Sequence, residues 1–274
     1  DLPSHRAQEK CFSHVCEVMT VYVKSQTPGD QRPAGGYGAK GEKMSDTGRK
    51  AELSTKRLRL LDLFCGQGGA AVGYHRAGFD VTGVDINPQP RFPFTFIQAD
   101  ALEYVREHGH EYDIIHASPP CQTYSVSAPL SNGSHPDMVD PTRNALLATG
   151  RPFIIENVPG APLHNPLVLC GTMFGLRVIR HRLFEIHPEP IWFPPRPCHH
   201  NGKSTGAVTE HGKNRRMGDK YQYVTVGGHA FIKADAEIGM GIDWMTTSGL
   251  SQAIPPDYTE WIGRRILPLM GEGE

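Results

Sequence analysis

A chain of 274 residues, with 28 Lys+Arg against 29 Asp+Glu and a formal net charge of −1, has core material for one large domain or one domain with a small appendage. It offers no global basic field to a nucleic acid, so any such footprint must be local. Six cysteines scattered through a chain of this size exclude a disulfide-stapled secreted scaffold and read as reduced thiols. With no apolar run of about 18 residues and no signal-peptide pattern, the expectation is a soluble cytoplasmic protein with no membrane partner.

Residues 1–56 carry no sustained apolar period, and Gln26-Thr27-Pro28-Gly29-Asp30 and Pro33-Ala34-Gly35-Gly36-Tyr37-Gly38 read as a disordered leader. Val15 to Val23 could add a short strand or helix. Because Met44 lies shortly before the first strong strand, part of this leader is expected to be an upstream extension with nothing catalytic in it. Cys11, His14 and Cys16 fit no zinc spacing, and no metal is expected there.

The texture changes at Arg57. Leu58-Arg59-Leu60-Leu61-Asp62-Leu63-Phe64 is a buried-strand pattern, Cys65-Gly66-Gln67-Gly68-Gly69 a glycine turn, and Ala70 to Gly78 a helix. A second strand, Phe79 to Asp85, completes the opening half of a doubly wound α/β sheet, which binds ligands at the carboxyl ends of its strands. Asp85 ends that strand where a carboxylate can accept from ribose hydroxyls, and Asp100 follows the strand Phe94 to Gln98, where it can meet an adenine amino group. The glycine spacing is neither that of a P-loop nor Gly-x-Gly-x-x-Gly, so an adenosine ligand without a pyrophosphate fits better than a dinucleotide.

The apolar run Tyr112 to His116 leads into Ala117-Ser118-Pro119-Pro120-Cys121-Gln122. Two prolines fix the backbone ahead of a thiol, a rigid mount suited to a nucleophile. The Ser- and Gly-rich stretch from Thr123 to Pro136 is expected to be a mobile loop that closes over a substrate. Asp140-Pro141-Thr142 starts a short helix that Gly150 ends, and a strand from Pro152 delivers Glu156-Asn157-Val158-Pro159-Gly160.

Four segments in this order, Asp62-Leu63-Phe64-Cys65-Gly66-Gln67-Gly68-Gly69, Pro119-Pro120-Cys121-Gln122, Glu156-Asn157-Val158 and Arg180-His181-Arg182, resemble those of the cytosine C5 DNA methyltransferases. The compact bacterial and phage-encoded members, found in restriction-modification and phage settings, are the most similar, and the resemblance runs from about Leu58 to Ile266. It implies a mostly parallel, Rossmann-like sheet of the S-adenosylmethionine-dependent type with a small target-recognition insertion. The catalytic domain would span 57–187 and 250–270, and the target-recognition region 188–249. Cys121 would be the thiolate that adds to carbon 6 of a flipped-out cytosine, Glu156 the acid at N3, and Arg180 and Arg182 the fixed cationic donors. S-adenosylmethionine would be the methyl donor, held by Asp62, Phe64, Gly66, Gly68, Gly69 and Pro120, with Asp85 at its ribose and Asp100 at its adenine. Double-stranded DNA would be the partner, the protein acting as a monomer in a bacterial cytoplasm. RNA cytosine methylation, or a catalytically idle DNA-binding relative, are the alternatives.

Two departures stand out. A polar residue usual two places before the first arginine is here Val178, and the C-terminal motif reads Ser251-Gln252-Ala253-Ile254-Pro255-Pro256. In the recognition region Lys203, Lys213, Arg215, Arg216, Lys220 and Lys233 are interleaved with Trp192, Tyr221 and Tyr223, a local basic surface for phosphate. Cys198, His199 and His200 with His211 could bind zinc, but the paired histidines are adjacent and the spacing is irregular, so no metal site is assigned.

Overall fold

The computed structural model describes residues 57–120, 137–190, 194–205, 216–227 and 231–270, so the leader, Cys121 with the loop after it, Trp192, Lys213, Arg215 and His211 lie outside the described residues. Residues Arg57–Glu274 form one compact unit. Five apolar runs become parallel strands: β1 (Arg59–Leu63), β2 (Asp80–Asp85), β3 (Thr95–Gln98), β4 (Ile114–Ala117) and β5 (Phe153–Asn157). Two more, β6 (Leu167–Leu169) and β7 (Arg182–His187), extend the sheet, β7 running antiparallel to both β5 and β6, giving the order β3-β2-β1-β4-β5-β7-β6. This is the doubly wound, mostly parallel α/β sheet that the strand pattern predicts. The chain leaves β1 to one side for β2 and returns to its other side for β4, so the crevice at their carboxyl ends is a topological switch point.

The strands read as unbroken apolar runs because both faces of the sheet are covered. Leu60, Ile114 and Ile154 point into one core layer with Tyr74, Phe79, Tyr258 and Ile262, while their neighbours Leu61, Ile115 and Ile155 point into the other with Val105 and Leu146. The first layer is closed by α1 (Gly69–Ala77) and α6 (Pro256–Met270), the second by α2 (Ala101–His108) and α3 (Val139–Ala148). Helices α1 and α6 approach so closely that a Cβ on Gly73 would collide with the Pro256 carbonyl and the Thr259 hydroxyl, and would lie 2.7 Å from the Glu260 nitrogen. Thr259 Oγ1 in turn donates to the Ala70 carbonyl at 2.9 Å. Gly73→Ala is therefore expected to cost about 1–3 kcal/mol, as overpacking does, measured by denaturant unfolding.

A third cluster joins α4 (Lys233–Met240) and α5 (Thr247–Gln252) to the sheet: Val178 packs with Val224, Phe231, Met240 and Leu250. Val178 is fully buried there and bridges to Val224. An apolar residue at this position is thus explained by packing, since a polar side chain would be desolvated without gain. On the far side of the sheet, Arg143 of α3 meets Glu185 of β7 through two bonds of 2.8 Å, donates to the Pro162 carbonyl and pairs with Asp140. Among the described residues no helix is long and apolar enough to cross a membrane.

Candidate functional site

The site is assembled where β1, β2, β4 and β5 end. Leaving β1, the chain turns sharply: Phe64 takes φ 57, a left-handed conformation that is strained for an aromatic residue, and Gly66 and Gly68 take φ 49 and 85. Asp85, at the end of the neighbouring strand, pins this turn by accepting from the Gly66 amide at 3.1 Å through Oδ2, while its Oδ1 accepts from the Asn87 amide at 2.9 Å. The other clamp comes from far along the chain. Gln67 accepts the Thr246 amide at 2.9 Å, and its backbone carbonyl accepts the Trp244 indole at 2.8 Å.

The glycines divide by role. A Cβ on Gly66 would meet nothing within 4 Å, which leaves open space for a ligand against the backbone. A Cβ on Gly69 would lie 2.5 Å from the Ile254 carbonyl, and one on Gly68 2.8 Å from Pro93. Gly69 is therefore required by the Ile254-Pro255-Pro256 segment, which explains physically why that motif accompanies the glycine turn.

Three carboxylates share this edge. Asp62 is 1 % exposed, and neither carboxylate oxygen has a hydrogen-bond partner among the described residues. Burial, followed by the charges of Asp85 and Glu156, pushes its pKa well above the ordinary range. A buried acid without partners, facing two more acids, is a site that a cation would relieve. Asp100 has a second occupation: it is the N-cap of α2, its Oδ1 accepting from the Leu102 and Glu103 amides at 2.9 Å each. Beside Asp85, Ile86 is 64 % exposed, a bare apolar surface at the mouth of the crevice that the sequence reading did not single out.

Glu156, next to last in β5, is buried, and the Nε of the half-buried Arg182 lies 3.0 Å from its Oε1. Burial raises the Glu156 pKa, and Arg182, a hydrogen bond from Ser118 and Arg180 oppose the rise. Arg180 is anchored by donating to the Val226 and Ser251 carbonyls at 2.6 and 2.8 Å. Its own carbonyl accepts from the Tyr258 hydroxyl at 2.6 Å.

Behind Glu156 runs a buried polar chain that the sequence reading missed. His116 on β4 sits between Tyr74 Oη (3.0 Å from Nδ1) and Ser118 Oγ (3.0 Å from Nε2), and burial lowers its pKa to about 3, so the ring is neutral. For Ser118 to donate to Glu156, its oxygen must accept from His116 Nε2–H, which leaves Nδ1 to accept from Tyr74. His116 thereby orients Ser118. The signal for it in sequence was a histidine in an otherwise apolar strand.

Asn157 supplies what the two prolines alone do not. Its side-chain amide donates to the Pro119 carbonyl at 3.1 Å, while its oxygen accepts the Val158 amide at 2.8 Å. The segment leading to Cys121 is thus tied to the end of β5, next to Glu156. Cys121 itself lies outside the described residues.

A second constellation lies beside the arginine motif. The ligand-capable atoms of Cys170, His181 and His200 are all within 4.8 Å of one another. Cys198 Sγ lies 3.9 Å from His181 Nε2, and Cys198 is the principal cause that draws the Cys170 thiol far below its ordinary pKa, with His181 and His200 also contributing. Of the basic residues in the recognition region, Arg216 pairs with Asp235 at 3.7 Å and Lys233 with Glu237 at 2.9 Å. Part of the basic surface read from sequence is therefore neutralised within the fold.

Comparison with known proteins places this geometry in context. Residues 58–166 match the family described as C-5 cytosine-specific DNA methylase. The type II methyltransferase M.AgeI of Thalassovita gelatinovora is 25% identical over 191 residues, 55% of this chain and 44% of that protein. M.AquIA of Picosynechococcus sp. is 30% identical over 127 residues, 37% of this chain and 49% of that protein. The chain thus spans under half the length of these curated relatives. A structure described as a DNA modification methyltransferase encoded within an E. coli prophage superposes with a TM-score of 0.52 at 15% identity, covering 78% of this chain and all of that one. The S. pombe Dnmt2 methyltransferase gives 0.51 at 14% identity over 78% of this chain and 99% of its own. These two likenesses establish the shared fold.

Proposed function

We propose that the chain, whose residues 58–166 match the C-5 cytosine-specific DNA methylase family, is a member of that family and methylates carbon 5 of cytosine in double-stranded DNA with S-adenosylmethionine as donor. The observation that carries the proposal is the pairing of buried Glu156 with Arg182, near the end of the strand whose next residue, Asn157, holds the backbone of Pro119. An acid of raised pKa, with a fixed guanidinium, stands beside the segment that leads to a cysteine.

The donor's chemistry fits the crevice. S-adenosylmethionine supplies a methyl group on a cationic sulfonium and carries an ammonium, and Asp62, without a partner among the described residues, together with Asp85 and Glu156 suits such a cation. Asp62 would hold the ammonium, the turn from Phe64 through Gly69 the methionine portion, Asp85 the ribose and Asp100 the adenine, with Pro120 lining the same crevice. Ile86 would pack on the adenine face.

Carbon 5 of cytosine is a weak nucleophile until carbon 6 is saturated. Cys121, as thiolate, forms a bond to carbon 6, and the ring electrons move toward N3 and carbon 5. Glu156 holds a proton at N3 as that charge grows, while Arg182 keeps the carboxyl oriented. Carbon 5 would then take the methyl group, leaving the donor's sulfonium as a neutral thioether; the carbon 5 proton passes to water, and the ring re-forms by expelling the Cys121 sulfur as thiolate. Because carbon 6 is inaccessible in a stacked duplex, the cytosine is flipped out first, at a cost of a few kcal/mol.

The test is covalent trapping. Duplex DNA bearing 5-fluorocytosine in place of cytosine is expected to form a denaturation-resistant complex with the chain in the presence of donor, and Cys121→Ser is expected to form none. Absence of both the complex and methyl incorporation into DNA overturns the proposal, and incorporation into tRNA instead moves the activity to RNA.

A further inference from the structure

We propose that Cys170, His181, Cys198 and His200 are the four ligands of a structural zinc ion that ties the target-recognition segment to the arginine motif. Three separate parts of the chain supply them. Cys170 follows β6, His181 stands between Arg180 and Arg182 immediately before β7, and Cys198 and His200 lie in the segment 194–205 beyond β7.

Cys170, His181 and His200 converge within 4.8 Å, Cys198 reaches His181, and the two sulfur–nitrogen separations are close to those of a tetrahedral site. With zinc–sulfur bonds of about 2.3 Å and zinc–nitrogen bonds of about 2.0–2.1 Å, tetrahedral angles put S and N ligand atoms about 3.6 Å apart. Cys170 Sγ lies 3.4 Å from His200 Nε2, and Cys198 Sγ lies 3.9 Å from His181 Nε2. The nitrogen nearest sulfur is Nε2 in both rings. Both sulfurs are thiols, so the two cysteines remain available as ligands. Two thiolates and two imidazoles select zinc over magnesium or calcium, and four protein ligands make the site closed, hence structural.

The surroundings also suit a metal-bound thiolate. Thr172 Oγ1 donates to Cys170 Sγ at 3.5 Å and accepts the His199 amide at 3.1 Å, so one hydroxyl supports a ligand and the backbone between two others, Cys198 and His200. His181 is the link to the candidate active site. Its carbonyl accepts from Arg182 Nη1 at 2.8 Å, so the backbone an ion would fix is the same one that orients the guanidinium on Glu156. The ligand set stands on its own geometry, whatever reaction the chain performs; only this last consequence rests on the proposed function.

Metal content of the full chain, purified without chelator and freed of any histidine tag, decides the matter. About one zinc per chain is expected, with Cys198→Ala and Cys170→Ala each lowering it about tenfold or more, and His199→Ala leaving it unchanged because its ring is outside the cluster. Titration of the reduced, metal-stripped wild type with Co2+ gives a readout independent of the variants: thiolate-to-cobalt charge transfer and intense tetrahedral d–d bands are expected at one equivalent. A wild-type protein with no zinc and no such Co2+ spectrum overturns the proposal. So does zinc that persists in both cysteine variants. Because neither readout involves methyl transfer, failure here and failure of the proposed activity are distinguishable.

Discussion

Glu156→Gln is expected to lower methyl transfer by about 10²–10⁴-fold, the usual worth of a positioned general acid, while leaving the protein folded. Glutamine keeps the shape and an oxygen for Arg182 but cannot pass a proton to N3. The pH dependence follows from the direction of the Glu156 shift. Its pKa in the folded protein is raised, first by burial, against the pull of Arg182 and Ser118. In the wild type the protonated form therefore persists above the ordinary carboxylate range, and the rate should fall as pH rises through the raised value. Stability carries the same sign: the folded state is not penalised below the unfolded-state pKa, and loses stability as pH rises through the folded one. Glu156→Gln removes both slopes. Stopped-flow single-turnover rates and thermal melts across that window measure them, and a variant with wild-type rate or an unchanged pH profile would sink the assignment of Glu156 as the acid.

The features legible in sequence were those written in local pattern. Leu60-Leu61, Ile114-Ile115 and Ile154-Ile155 are adjacent apolar residues because each pair serves two core layers, and such unbroken apolar runs are legible as buried strands. Asp85 was likewise placed by its position at a strand end. What local pattern could not show depends on contacts between distant residues. Gly69 looked like part of a ligand cradle, yet its missing side chain makes room for Ile254, 185 positions along the chain. Val178 looked like a lost polar contact and is a core residue against Val224. The thiols and imidazoles of Cys170, His181, Cys198 and His200 fit no short zinc spacing because β7 and the turns on either side of it bring them together. Only Cys198 and His200, two of the four, stand close together in the sequence.

Asp62→Asn is expected to act in opposite directions on the free protein and on its complex with cofactor. In the free protein Asp62 is buried without a partner among the described residues, and its pKa is raised by burial and by Asp85 and Glu156. The charge penalty is absent below the unfolded-state pKa and grows as pH rises, so the asparagine variant should gain stability over the wild type on the alkaline side of the carboxylate range and lose that advantage on acidification. The asparagine stays unsatisfied but carries no charge, so on the alkaline side the gain is expected to be about 1 kcal/mol or more, the additional cost of burying the group ionised. Affinity should move the other way. A charge-assisted hydrogen bond to an ammonium contributes about 1.5–3 kcal/mol, so the variant should bind S-adenosylhomocysteine, which carries the same ammonium, about 10- to 150-fold more weakly by calorimetry. A purely structural aspartate would lose stability in the asparagine variant and leave affinity unchanged, and that pair of results would remove Asp62 from the cofactor site. Gain of stability together with loss of affinity is the signature of a carboxylate kept unpartnered in the free fold so that a cation can complete it.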